Sequence, residues 1–77
     1  MKKFYEGLSD IFEIEVNELS SEFRLRDGTV VWDSLAILST LALLDECFGV
    51  VVDGKELGEC ENVGDIEKLI AAAANDC

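Results

Sequence analysis

The sequence predicts an all-α fold: a small antiparallel bundle of three to four helices with a long first loop, built as a single domain over residues 1–77. Three observations predict it. The 77 residues contain no proline, so no helix interior is barred. Apolar residues recur at helical spacing in several segments. A chain this short has room for one core and no deep cleft. Nearly half of its residues, 49%, are apolar, which favours folding over disorder.

The first element runs from Lys2 to Phe12. Phe4, Leu8, Ile11 and Phe12 fall on one helical face, and Lys3, Glu6, Asp10 and Glu13 are left for solvent. Glu13 to Trp32 is the long connection, with Ser20, Ser21, Asp27 and Gly28 as breakers. A structureless loop of that length is unusual in a small domain. Val16, Leu19 and Phe23 are therefore expected to pin it to the core, and Trp32 to plug it against the bundle.

The strongest helix spans Asp33 to Phe48. Asp33 suits an N-cap and Gly49 a stop. Residues placed about 100° apart on a wheel divide into two faces. Ile37, Thr40, Leu41, Leu44, Cys47 and Phe48 form the core face, bordered by Ala36 and Leu43. Ser34, Leu35, Leu38, Ser39, Ala42, Asp45 and Glu46 form the outward face. The outward face holds the charges, yet it also carries two leucines. Exposed apolar groups beside acids mark an interface. Asp33, Leu35, Leu38, Ala42, Asp45 and Glu46 are thus the candidate partner-binding residues.

Val50 to Val52 is a β-branched run with no second strand to pair with, so it is expected as an extended loop packed on the core. Asp53 to Glu59 is expected to hold a short helical turn. Asn62 caps a last helix, with Asp65 in a capping-box-like role. Val63, Ile66, Ile70 and Ala73 follow at helical spacing beside Leu69, and Asn75 to Cys77 is expected to fray.

Composition excludes several functions. Seventeen acids against six bases leave a net charge of −11. That field repels nucleic acid and anionic membranes and favours basic protein partners. No apolar run reaches membrane-spanning length, so no membrane insertion is expected. Glu6 and Asp10 interrupt the first twelve residues, which lack a signal-peptide pattern. A cytoplasmic setting with reduced thiols follows for Cys47, Cys60 and Cys77. Cys47 is expected buried, Cys60 and Cys77 exposed. With no histidine in the chain, neither a Ser-His-Asp nor a Cys-His site can form within it. The acidic stretch Asp53, Glu56, Glu59, Glu61, Asp65 does not match a calcium loop. No catalytic and no metal site is expected.

Asp33-Ser34-Leu35 carries the chemistry. Taken alone, Asp-Ser before an apolar helix is a cap. The same place suits a phosphodiester. A helix N-terminus offers free N–H groups and a partial positive charge, and Ser34 lies on the outward face.

Trp32-Asp33-Ser34-Leu35, continued by Ala36-Ile37-Leu38-Ser39-Thr40-Leu41-Ala42-Leu43-Leu44-Asp45-Glu46-Cys47-Phe48-Gly49-Val50, resembles the D-S-L segment of acyl carrier proteins. Glu18-Leu19 to Phe23 resembles the first loop of that family, and Asn62-Val63 to Ile70 its last helix. The resemblance covers nearly the whole chain, in order. It implies that Ser34 is the attachment point of 4′-phosphopantetheine, transferred from coenzyme A by a phosphopantetheinyl transferase. It further implies a monomeric, non-enzymatic carrier holding an acyl thioester. An acyl-activating ligase or an acyltransferase would load it, and downstream pathway enzymes with basic and apolar docking surfaces would receive the cargo. An aminoacyl carrier of the peptidyl or D-alanyl type shares the fold and the serine. An unmodified helical interaction module is the reading from another class. Val31 stands where the family has glycine, Ala36 where an acid is common, and Val52 where proline is common. Ser39 and Thr40 also depart from the fatty-acid-synthesis pattern. These departures point to a carrier dedicated to one specialised pathway.

Overall fold

In the computed structural model, which describes residues 2–28 and 30–74, the first amphipathic segment forms helix α1, Lys2–Phe12. Phe4 and Leu8 are fully buried, and Ile11 and Phe12 are half-buried. The helix closes with Glu13 at φ 58°. The Ile14 N–H donates back to the Ser9 carbonyl at 3.0 Å, a Schellman closure with glutamate where glycine is usual. A left-handed conformation costs a side-chain-bearing residue ~1–2 kcal/mol. Glycine gives back roughly 0.5–1 kcal/mol of that as extra chain entropy to be lost on folding. Glu13→Gly is therefore expected to raise stability by about 0.5–1 kcal/mol. The readout is a higher urea midpoint at constant m value, and a lower midpoint would contradict the strain argument.

The long loop is held mostly by backbone bonds that periodicity does not reveal. A 3-10 turn, Val16–Glu18, opens with the Glu15 N–H donating to Glu18 Oε2 at 2.9 Å. It closes with the Leu19 N–H donating to the Val16 carbonyl. That closure turns Leu19 inward and Val16 outward. Leu19 is buried while Val16 is 43% exposed, so Val16 is not one of the pins. Leu25, fully buried, takes that role beside Leu19. Phe23 stacks on Phe12 with ring centroids 6.1 Å apart, and Trp32 meets Phe12 edge-on at 5.9 Å. Gly28 adopts φ 93°, as a turn glycine does.

Between Ser21 and Leu25 the loop runs against the start of the last helix, α4, Val63–Ala74. The first N–H groups of a helix lack partners within it. Here loop carbonyls supply them: Val63 donates to Phe23 at 3.0 Å and Gly64 to Ser21 at 2.8 Å. The Leu25 N–H donates in return to Glu61 at 2.9 Å. Glu67 adds a second tie. Its carboxylate accepts from Tyr5 Oη at 2.9 Å and from Ser21 Oγ at 2.6 Å, joining α1, the loop and α4. Burial pushes the Tyr5 phenol above its ordinary value. The Ser21 hydrogen bond opposes that shift and the Glu67 carboxylate adds to it.

Helix α2 spans Ser34–Phe48. Asp33 Oδ1 accepts from the Ala36 N–H at 3.0 Å. Gly49, at φ 65°, ends the helix with its N–H on the Asp45 carbonyl. Leu44, Thr40 and Ala36 are buried. The Thr40 hydroxyl donates to the Ala36 carbonyl at 2.8 Å, so its own polar group is satisfied inside the core. Phe48 packs edge-on against Phe4. A side chain at Gly7 would meet the Leu43 methyls, so glycine there lets α1 and α2 approach.

Val50 to Val52 is a loop, with Val50 buried and Val51 85% exposed. Asp53 Oδ1 accepts from the Lys55 N–H at 2.7 Å and opens α3, Gly54–Gly58, which buries Leu57. Asn62 Oδ1 caps α4 by accepting from the Asp65 N–H at 2.9 Å. The Asp65 carboxylate reaches one residue past a capping box, to the Glu61 N–H at 3.0 Å. Val63, Ile66 and Ile70 face the core.

The cysteines depart from expectation. Cys60 is buried, only 5% exposed, rather than exposed. It continues the Leu57 face at i+3 into the start of α4, and its thiol faces the Glu56 carbonyl at 3.5 Å. Cys47 is half-buried. Cys77, and the expected fraying of Asn75 to Cys77, lie outside the described residues. Burial, then Asp65 and Glu56, push the Cys60 thiol from 9.0 up to about 11. A raised folded value contributes stability below the ordinary pKa, and that contribution is lost as pH rises through 11. At pH 8 the thiolate fraction falls roughly 100-fold. Iodoacetamide at pH 8 is therefore expected to label Cys60 far more slowly than Cys47 in the folded protein, and comparably in urea. Peptide mass spectrometry reads each site; equal folded rates would contradict the burial.

Candidate functional site

The start of α2 is built from both sides. The Trp32, Phe12 and Phe23 rings fasten the end of the loop to the end of α1. The Asp33 cap then sets where the helix begins. Ser34 is the first helical residue and is exposed. Its hydroxyl makes no hydrogen bond among the described residues. Asp33 takes the N–H groups of Ala36 and, through its carbonyl, of Ile37. Those of Ser34 and Leu35 have no partner among the described residues. An anion carried on Ser34 Oγ would meet two open donors at the positive end of a fifteen-residue helix. The arrangement fits a phosphodiester and leaves room for an enzyme to reach the oxygen.

The outward residues of α2 lie where the wheel places them. Leu35 is 73% and Leu38 62% exposed. Asp33, Ala42, Asp45 and Glu46 are exposed as well. Two exposed leucines one turn apart, with carboxylates at the far end, make a mixed apolar and acidic strip leading away from Ser34. Ser39, also assigned to this face, is half-buried. Among the described residues no group of acids or cysteines is placed to hold a metal ion, and no helix is long and apolar enough to cross a membrane.

Sequence reasoning missed the other side of Ser34. Between the end of α1 and the start of α2 lies a groove of about 220 Å³ lined by Ile11, Val31, Asp33, Leu35, Ala36 and Ser39. Val31 is 72% exposed. The signal was present in the sequence as a β-branched residue in place of the family's glycine. Its position over a groove depends on how close α1 comes, which local pattern does not state. The indole Nε1 of Trp32, next in the chain, is buried without a hydrogen-bond partner.

Curated proteins of similar sequence share one name. The chain is 35% identical over 65 residues to the acyl carrier protein MbtL of Mycolicibacterium paratuberculosis, covering 84% of this chain and 72% of that protein. It is 33% identical over 69 residues to the acyl carrier protein MbtL of Mycobacterium bovis and to that of Mycobacterium tuberculosis. Those alignments cover 90% of this chain and 81% of each relative. No family profile matches the chain, and no solved structure does.

Proposed function

The chain belongs to the acyl carrier protein family, and we propose that it holds its acyl cargo as a thioester on 4′-phosphopantetheine attached to Ser34. The observation that carries this reading is the exposed Ser34 hydroxyl, without a hydrogen-bond partner among the described residues, at the capped N-terminus of α2. When bound, the arm supplies a terminal thiol that forms the thioester. The protein supplies position. Asp33 fixes the first turn, the open N–H groups of Ser34 and Leu35 would be available to the phosphodiester, and the leucine strip would present the site to partners. With no histidine in the chain, it can form neither a Ser-His-Asp nor a Cys-His site of its own. Chemistry on the cargo belongs to the enzymes that dock.

Those enzymes are a phosphopantetheinyl transferase, a loading ligase or acyltransferase, and the downstream enzymes of one specialised pathway. The departures at Val31, Ala36, Ser39 and Thr40 support a dedicated pathway, because they reshape the surroundings of Ser34. Ala36 and Thr40 are buried and Val31 lies exposed over the groove.

Coexpression with a promiscuous transferase, followed by intact mass spectrometry, tests the reading. A phosphopantetheine adduct supports it, and the mass of any remaining cargo distinguishes an acyl from an aminoacyl group. A protein that stays unmodified overturns it. Acidity adds a kinetic expectation. A net charge of −11 steers basic surfaces, and salt screens that steering. Transfer of the arm should slow several-fold between low salt and about 0.5 M, through association alone. A salt-independent rate would remove electrostatics from docking.

A further inference from the structure

We propose that the groove between α1 and α2 seats the proximal, pantoyl part of the arm on Ser34 when no partner is docked. This rests on the reading of Ser34 as the attachment point. The first argument is connectivity. Asp33 and Leu35, the two chain neighbours of Ser34, both line the groove. Whatever hangs from Ser34 Oγ starts at its mouth, at a high effective concentration.

The second argument is chemistry. Next to its phosphate the arm carries a carbon with two methyl groups, then a hydroxyl and an amide. The groove offers Ile11, Val31, Leu35 and Ala36 as apolar walls, with one hydroxyl, that of Ser39. That hydroxyl is half-buried and makes no hydrogen bond among the described residues. The methyl pair suits the walls, and the polar groups beyond it suit Ser39. At about 220 Å³ the groove admits a branched segment of this size and not a long acyl chain as well.

The third argument is exposure. Val31 at 72% and Leu35 at 73% exposed are apolar groups left open to water beside the tether, and a tethered apolar segment covers them without an ordering cost in translation. Leu35 belongs both to the groove and to the outward strip. A partner that grips Leu35 therefore competes with the seated arm, and docking releases the arm toward the partner.

The experiment uses the holo protein, made with coenzyme A and a transferase, and isotope-edited NMR. Mass spectrometry first confirms the adduct on Ser34. Nuclear Overhauser contacts are then expected from the two arm methyls to Ile11, Val31 and Leu35. Apo-to-holo shift changes are expected at Ile11 and Ser39. In Val31→Ser, whose exposed position spares the fold, the methyl contacts should be lost and those shift changes should shrink by at least half. Contacts to residues elsewhere on α2 or on α3, or no contacts at all on a confirmed adduct, would overturn the seat while leaving the attachment intact. Lack of any adduct would overturn the attachment, and the seat with it.

Discussion

Replacing Ser34 with Ala is expected to abolish the phosphopantetheine adduct completely while leaving the helical circular dichroism unchanged. The loss should be total because no other hydroxyl among the described residues shares the setting. Thr40 is buried and donates to the Ala36 carbonyl. Ser9 is buried and donates to the Glu6 carbonyl. Ser21 and Tyr5 are tied to Glu67. Ser20 is exposed but lies in the loop with its Oγ accepting from the Glu22 N–H, and Ser39 is half-buried five residues further along α2. Among the described residues only Ser34 combines exposure with the open donors of a helix N-terminus. The fold should be indifferent to the change. The cap is Asp33 Oδ1 on the Ala36 N–H, which does not involve the serine side chain. Alanine is also a better helix former than serine by a few tenths of a kcal/mol. A stability change within about ±0.5 kcal/mol is expected. An Ala variant that still gained the arm would place the attachment elsewhere and overturn the central assignment.

What local chemistry encodes could be read from the sequence, and what distant backbone encodes could not. Asp33 and Gly49 bounded α2 because a side-chain oxygen and a left-handed glycine act within one turn of themselves. The two faces of α2 followed from periodicity, and burial agrees with that division apart from the half-buried Ser39. The long loop was another matter. Its hold on α4 consists of Ser21 and Phe23 carbonyls on the Gly64 and Val63 N–H groups, and every residue type except proline can make those bonds. Val16 failed as a pin because the direction of a 3-10 turn, not its hydrophobicity, decides which of Val16 and Leu19 points inward. Cys60 failed because burial there arises at the junction of two helices, where a face starting at Leu57 continues through Cys60 to Val63. The groove beside Ser34 is of the same kind. Ile11 and Val31 are twenty residues apart in the chain, and only the docking of the loop against α1 brings them to one wall.

Partner choice yields the second large effect. Leu38→Ala is expected to weaken loading more than Asp45→Asn does. Leu38 is 62% exposed, and it continues the line of Leu35 and Ala42 at i+3 and i+4 spacing along one side of α2. Fully burying a leucine is worth ~1.5–3 kcal/mol. The part of Leu38 still open to a partner is therefore worth roughly 1–2 kcal/mol, or about 5–30-fold in apparent affinity. Asp45 is exposed at the far end of the strip, and an exposed ion pair contributes about 0–1 kcal/mol. Salt screens the ion pair and leaves the leucine contact almost untouched. Kinetics should separate the two variants accordingly. Leu38→Ala should raise the KM for the carrier at low and high salt alike, with kcat held. Asp45→Asn should act mainly at low salt. The fold should tolerate Leu38→Ala, since most of the side chain is outside the core and alanine favours the helix. If the variant unfolds instead, Leu38 contributes to the core beyond what its exposure indicates. If it folds and loads as the parent does, charge alone governs docking, and the apolar strip beside Ser34 has no part in choosing partners.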